Sequence, residues 1–153
     1  MRRIVTIALL STLFVGASAF AADAVVGTWK LNVGASKFSA TAPTSGTRVY
    51  SESADGTVLD QKMVGADGKE MTMHTAIKYD GKDYPVTGNA DADTVAAKVI
   101  DARTTHFTMK KGGKVVGTVH RVVSKDGKTL TVNNKGTHTG GKAYDDTLVF
   151  DKQ

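Results

Sequence analysis

The residues of this chain best suited to chemistry are four histidines, an alternating run of acids and a late arginine. His74, His106, His120 and His138 are scattered in the sequence. A hairpin turn at 111–113 places His106 and His120 diagonally beside each other on one outer sheet face. A transition-metal site needs a third or fourth ligand, commonly Asp, Glu or another His. No spacing here supplies one, so the four are read as surface histidines. NADAD, residues 89 to 93, sets Asn89, Asp91 and Asp93 at the spacing of early calcium-loop ligands. An EF-hand then requires Gly at its sixth position and Glu at its twelfth, where this chain has Thr94 and Ile100. The stretch is expected as a polar surface loop. Ser36, Ser39 and Ser45 have no Gly-x-Ser-x-Gly elbow around them, and no glycine-rich phosphate loop precedes a helix. Asp145 and Asp146 are sequence neighbours and point to opposite faces of a strand, unlike the paired carboxylates of a glycosidase. No cysteine is present, which excludes a thiolate nucleophile, a thiolate metal site and disulfides. The chain is read as a non-enzyme, with no cofactor and no metal.

The elements that position these residues are strands. Asp-Gly occurs at 55–56, 67–68, 80–81 and 126–127, with glycine pairs in KGGK and TGGK. Asp-Gly between β-rich runs signals a hairpin with a type I′ turn. The runs between the turns are dense in Val, Thr, Tyr, Ile and Met, without helical periodicity. They predict strands at 25–32, 47–54, 57–64, 69–79, 82–87, 94–101, 103–110, 114–124, 128–137 and 142–151. Segment 33–46 is expected as a loop with one short helical turn around Ser36-Lys37-Phe38, and 85–93 as a second loop. The fold is therefore all-β, an antiparallel up-and-down meander of about eight to ten strands closing into a barrel, which removes exposed edges.

Registers follow from the turns. A turn at Asp126-Gly127 sets Val123 opposite Leu130, Arg121 opposite Val132 and Val119 opposite Asn134. A three-residue turn at Lys111-Gly112-Gly113 brings Met109 and Phe107 onto that face, opposite Val115 and Gly117. A turn near Gly140 adds Phe150, Leu148, Asp146 and Tyr144. This inner face is mostly apolar, as a half-buried sheet requires.

On that face Arg121, Asn134, Asp146 and Tyr144 form a polar cluster. A charge inside a barrel is costly unless paired. The cluster is either a receptor for the polar end of a ligand or an internal Arg121–Asp146 salt bridge. Met63, Met71, Met73 and Met109 either line an adaptable apolar pocket or fill core gaps. The candidate ligand-binding residues are Trp29, Met71, Met73, Phe107, Met109, Arg121, Asn134, Tyr144 and Asp146. A carrier requires a mostly apolar cavity of about 300 Å³ or more. A filled barrel brings Trp29, Phe107, Met109, Leu130 and Phe150 together in its middle.

Residues 1–21 have the three parts of a secretory signal: Arg2 and Arg3, the apolar run Ile4 to Val15, and small residues Ala17, Ala19 and Ala21. The run is shorter than the roughly 20 apolar residues of a membrane-spanning helix. The expected mature chain, 22–153, is a single β-barrel domain, periplasmic or secreted, with no membrane span. The charge of +5 on the whole chain falls to +3 once Arg2 and Arg3 leave. The remaining lysines are dispersed among aspartates, and KKGGK, residues 110 to 114, lies at a turn. No aromatic platform interleaves with them, so nucleic acid is not an expected partner. Oligomeric state is left open.

GTWKLN, residues 27 to 32, resembles the opening strand of the calycins, which include lipocalins and fatty-acid-binding proteins. The resemblance implies that Gly27 and Trp29 close the barrel floor and that Arg121 lies over Trp29. Segment 33–46 is too short for the helix-turn-helix lid of fatty-acid-binding proteins. Leu148 and Phe150 stand where those proteins carry an Arg-x-Tyr. The blocks GTWKLN with SKF, YDGKDYPVTGNADADTV, RVVSKDGKTLTV and the ending VFDK are similar to small exported bacterial lipocalin-like proteins without an assigned function. The calycin resemblance implies an up-and-down barrel that binds a small apolar ligand. The alternative is an envelope or stress-related interaction protein with a filled barrel and no ligand.

Overall fold

The computed structural model describes residues 24–153; the expected export signal, 1–21, lies outside the described residues. Ten strands are present: β1 (Gly27–Leu31), β2 (Ser45–Ser53), β3 (Gly56–Val64), β4 (Glu70–Ile77), β5 (Asp80–Pro85), β6 (Thr94–Asp101), β7 (Thr104–Lys111), β8 (Lys114–Val123), β9 (Thr129–Thr137) and β10 (Ala143–Lys152). They form one sheet in the order β4-β3-β2-β1-β10-β9-β8-β7-β6-β5, and each neighbouring pair is antiparallel. The sheet is the expected meander, with β1 and β10 joining the two ends of the described chain.

The seam of the barrel lies between β4 and the end of β5. His74 and Thr87 exchange backbone hydrogen bonds of 3.0 and 2.9 Å, and Thr75 Oγ1 donates to the Pro85 carbonyl at 2.9 Å. Pro85 has no N–H to donate, and the β5–β6 register shifts between Asp80 and Asp83. The seam is consequently an isolated bridge rather than a full ladder, and the barrel is nearly closed. Gly88 lets the chain approach β4. Its φ is +76°, and a side-chain carbon there would overlap the Thr72 carbonyl oxygen.

The Asp-Gly pairs turn the chain by a different geometry from the one expected. Among the described residues no non-glycine has positive φ, whereas a type I′ turn needs two such residues. Within each of these pairs only the glycine, Gly56, Gly68, Gly81 or Gly127, takes positive φ. Asp67, Asp80 and Asp126 instead accept the backbone N–H two residues on, at 3.1, 3.0 and 3.1 Å. An aspartate in the left-handed region costs free energy, while this local hydrogen bond holds the turn without it. Only Gly112-Gly113 has both residues at positive φ, so the β7–β8 turn has two residues rather than three, with Lys111 facing Lys114. A register shift after Met109 then sets Met109 opposite Gly117 and Phe107 opposite Val119, correcting the partners expected for both. Val115 is left exposed. The expected β8–β9 register holds, with Val123–Leu130, Arg121–Val132 and Val119–Asn134 all paired; on β10, Asp146 pairs with Asn134.

The short helical turn falls at Val33–Ala35, earlier than expected, because Asn32 caps it by accepting the Ala35 N–H at 3.1 Å. Beyond it Lys37 bridges Thr147 through backbone hydrogen bonds of 2.7 and 2.9 Å. This segment thereby continues the position of the short β1 along the longer β10.

Two apolar clusters fill the interior. Trp29, Leu130, Val132 and Phe150, each fully buried, centre the first, with Tyr50 and Leu59 at its margin. Trp29 Nε1 donates to the Val25 carbonyl at 2.7 Å, which satisfies the buried indole. Ile77, Val86, Val95 and Ala97 form the second cluster, with Phe107 and Met109 packed on it. The five residues that a filled barrel requires in one place are thus divided between the two.

Candidate functional site

A cavity of about 160 Å³ lies between the clusters. Apolar walls come from Leu59, Ile77, Val86 and Val95, with Phe107 and Met109 on β7. Its polar groups are Arg48, Gln61, Arg121, Asn134 and Tyr144, among others. Strand alternation delivers them: Arg48 shares inward parity with Tyr50 on β2, and Arg121 shares it with Val123 on β8.

Both arginines are buried, Arg48 at 7% and Arg121 at 3% exposure. Arg48 Nε donates to Gln61 Oε1 at 2.7 Å and Nη1 to the Tyr50 hydroxyl at 3.4 Å. Its guanidinium carbon sits 4.9 Å from the Phe150 ring centre. Arg121 Nη2 donates to the Tyr79 hydroxyl and to Thr105 Oγ1, both at 3.0 Å. Three rings surround it, Phe107 at 5.0 Å, Tyr50 at 5.2 Å and Tyr79 at 5.6 Å. These cation–π contacts cover guanidinium faces and replace part of the lost hydration. Among the described residues no carboxylate pairs with either arginine.

That arrangement corrects two expectations for Arg121. It makes no salt bridge to Asp146, whose Oδ1 accepts both the backbone N–H and the hydroxyl of Ser39 at 2.6 Å. Nor does it lie over Trp29; the cation there is Lys152, with Nζ 5.2 Å from the ring centre. Arg121 is long and rooted on β8, so its head crosses the interior to Tyr79 and Tyr50 rather than stopping at β10.

Of the residues expected at the ligand site, Met73, Phe107, Met109, Arg121, Asn134 and Tyr144 line the cavity. Trp29 belongs to the filled cluster instead. Met71, opposite Met63 near the start of β4, is 58% exposed. Asp146 holds the segment at Ser39 instead of lining the cavity. Arg48, Tyr50 and Gln61 were not read from the sequence. The inward alternation of Arg48 with Tyr50 was the available signal, obscured by the apolar Val49 on the outer face.

Tyr144 owes its place to two glycines. Gly117 faces Gly136 across β8 and β9, and Gly136 faces Tyr144 across β10. A side-chain carbon at Gly136 would come within 2.6 Å of the Tyr144 hydroxyl, and one at Gly117 within 2.8 Å. Burial, then the nearby Asp91 and Asp146 carboxylates, raise the Tyr144 pKa above its ordinary value. At neutral pH its hydroxyl is a neutral donor.

Around this end of the barrel the loops are tied by side chains. Asp91 Oδ2 lies 2.7 Å from His138 Nδ1, and Asp91 Oδ1 accepts the Thr139 N–H at 2.7 Å and its hydroxyl at 3.0 Å. The NADAD loop is therefore fastened to the β9–β10 turn, with the His138 ring centre 4.7 Å from that of Tyr144 and tilted by 41°. His106 and His120 are direct cross-strand partners with ring centres 4.8 Å apart. Among the described residues no group of three or more His, Cys, Asp or Glu is placed to hold a metal. None of their helices is long and apolar enough to cross a membrane. No family model and no curated protein matches the chain.

Proposed function

We propose that this chain is an exported, lipocalin-like protein that holds a small, mainly apolar molecule inside its barrel, in the periplasm or outside the cell. The observation that carries the reading is the cavity of about 160 Å³ between two apolar clusters, lined by apolar side chains and a smaller set of polar ones. It falls below the roughly 300 Å³ of a drug-sized pocket. An apolar cavity of about 150 Å³ accommodates benzene, so the reading narrows to compact ligands. The nearly closed antiparallel meander and the sequence resemblance to exported lipocalin-like proteins support it.

The second reading, an envelope interaction protein working through its surface, is favoured by the complete burial of Trp29, Leu130 and Phe150 at one end. Native mass spectrometry of the protein isolated from its own cell envelope separates the two. The carrier reading expects a reproducible small adduct, recoverable by organic extraction, together with cleavage near Ala21. A clean apo mass with no displacement of a small apolar probe transfers support to the surface reading.

A further inference from the structure

We propose that the molecule held in the barrel is a compact monocarboxylate, with its hydrocarbon body in the cavity and its carboxylate on Arg48 and Arg121. The inference rests on the carrier reading above and specifies the class of ligand.

Two buried guanidiniums without a counter-charge among the described residues are the central observation. An uncompensated charge in a protein interior costs several kcal/mol, and a fold that needs only stability avoids placing two beside one cavity. Every hydrogen-bond partner of the pair is neutral: Gln61 and Tyr50 for Arg48, Tyr79 and Thr105 for Arg121. Asp146, the carboxylate expected to pair with Arg121, is occupied by Ser39.

The geometry leaves the right atoms unused. Arg48 Nη2 and Arg121 Nε and Nη1 have no partner among the described residues. The aromatic rings lie against the guanidiniums and leave the in-plane N–H groups for an acceptor. Arg121 Nη2, which both of its two-donor edges share, already gives its hydrogens to Tyr79 and Thr105, so the remaining donors meet a carboxylate through single charge-assisted hydrogen bonds from each arginine. Tyr50 couples the two, since Arg48 donates to its hydroxyl while Arg121 sits against its ring.

The cavity selects the rest of the ligand. Its volume, about 160 Å³, resembles that of a cavity that takes benzene, which excludes long-chain fatty acids. Leu59, Ile77, Val86 and Val95, with Phe107 and Met109, give a hydrocarbon body apolar contacts. One negative charge on a short aliphatic or aromatic body meets these conditions.

Calorimetric titration of the purified protein at neutral pH with benzoate, hexanoate, benzyl alcohol and hexanol tests the proposal. Each carboxylate is expected to bind about tenfold or more tighter than its matched alcohol, as charge-assisted hydrogen bonds require. Arg48→Met and Arg121→Met are expected to reduce carboxylate affinity to the level at which the wild-type protein binds the matched alcohol. Alcohols binding as tightly as carboxylates overturn the monocarboxylate inference and leave the carrier reading standing. If none of the four binds at about 10 mM, both are overturned. Should the variants fail to fold, the wild-type protein still decides. Hexanoate affinity is expected to fall as the ligand itself protonates between pH 7 and 4 while hexanol affinity does not, and equal pH profiles for the two overturn the proposal.

Discussion

Replacing Val119 with phenylalanine puts an aromatic ring into the space between the two apolar clusters. Val119 lies on β8 between Phe107 of β7 and Asn134 of β9, and it lines the cavity. Residual cavities cost about 24 cal/mol per Å³ in cores that lose side chains. On that scale a cavity of about 160 Å³ corresponds to about 4 kcal/mol of packing that the fold forgoes. A ring that occupies about a third of the volume recovers about 1 kcal/mol. β-propensity is not lost, since both residue types favour strands. Val119→Phe is therefore expected to raise the stability of the unliganded protein by about 1 kcal/mol, or a few degrees in Tm for a domain of this size. It is also expected to abolish binding of benzoate and of small neutral aromatics together. Urea unfolding and calorimetric titration on the same preparation measure both effects. Overpacking costs about 1–3 kcal/mol where no space exists. A destabilisation of that size would refute the cavity as unfilled volume, and retained ligand binding would refute its identity as the binding site.

Gly88→Ala is expected to cost about 2–4 kcal/mol, because it combines backbone overlap at Thr72 with a positive φ. Gly140→Ala, whose added carbon meets nothing within 4 Å, stays within about 0.5 kcal/mol as a control; denaturant unfolding of both reads the contribution of the seam. His106 Nδ1 is buried without a partner, and burial, then the facing His120, hold the His106 pKa below its ordinary value. The unfolded chain therefore takes up a proton first, and this residue lowers stability as pH falls from about 6.5 towards the folded pKa. His106→Val is expected to flatten that part of the stability profile and to add about 1 kcal/mol at neutral pH; Lys98 and His120, its cross-strand neighbours, remain in place. Burial raises the Asp91 pKa, but the hydrogen bonds from His138 and Thr139 outweigh it and the net shift is downward. The loop tether is thus present above the ordinary carboxylate value of about 4 and is lost as pH falls through the lower folded value. Asp91→Asn is expected to weaken it by about 1 kcal/mol at neutral pH, read as faster amide hydrogen exchange at Thr139 with unchanged exchange in β8.

The alternation of side chains was legible in the sequence because parity along a strand is a local property. Val123, Arg121 and Val119 face one way on β8 whatever lies across the barrel, and any turn centred on the Asp126–Gly127 bond sets the same partners on β9. The register expected there consequently holds even though the turn is not type I′. The β7–β8 hairpin shows the converse. Its two-residue Gly112-Gly113 turn and the register shift after Met109 together moved the partners of Met109 and Phe107, and a bulge leaves no mark in hydrophobic alternation.

By itself the sequence determined an all-β chain, an antiparallel meander, the turn positions and the inward face of its last four strands. Only the tertiary structure decided what Arg121 meets, since parity gives the direction of a side chain and not the far wall that closure brings within its reach. The same applies to Arg48, whose burial depends on β2 lying between β1 and β3 while its neighbours Val49 and Tyr50 present apolar groups to both faces. The cavity is a still less local quantity: it is the volume left when two clusters from eight strands have packed, and no stretch of sequence carries it. The seam at Gly88 closes for a related reason, because it joins β4 to the chain beyond β5, the two ends of a sheet whose curvature is the sum of every pairing between them.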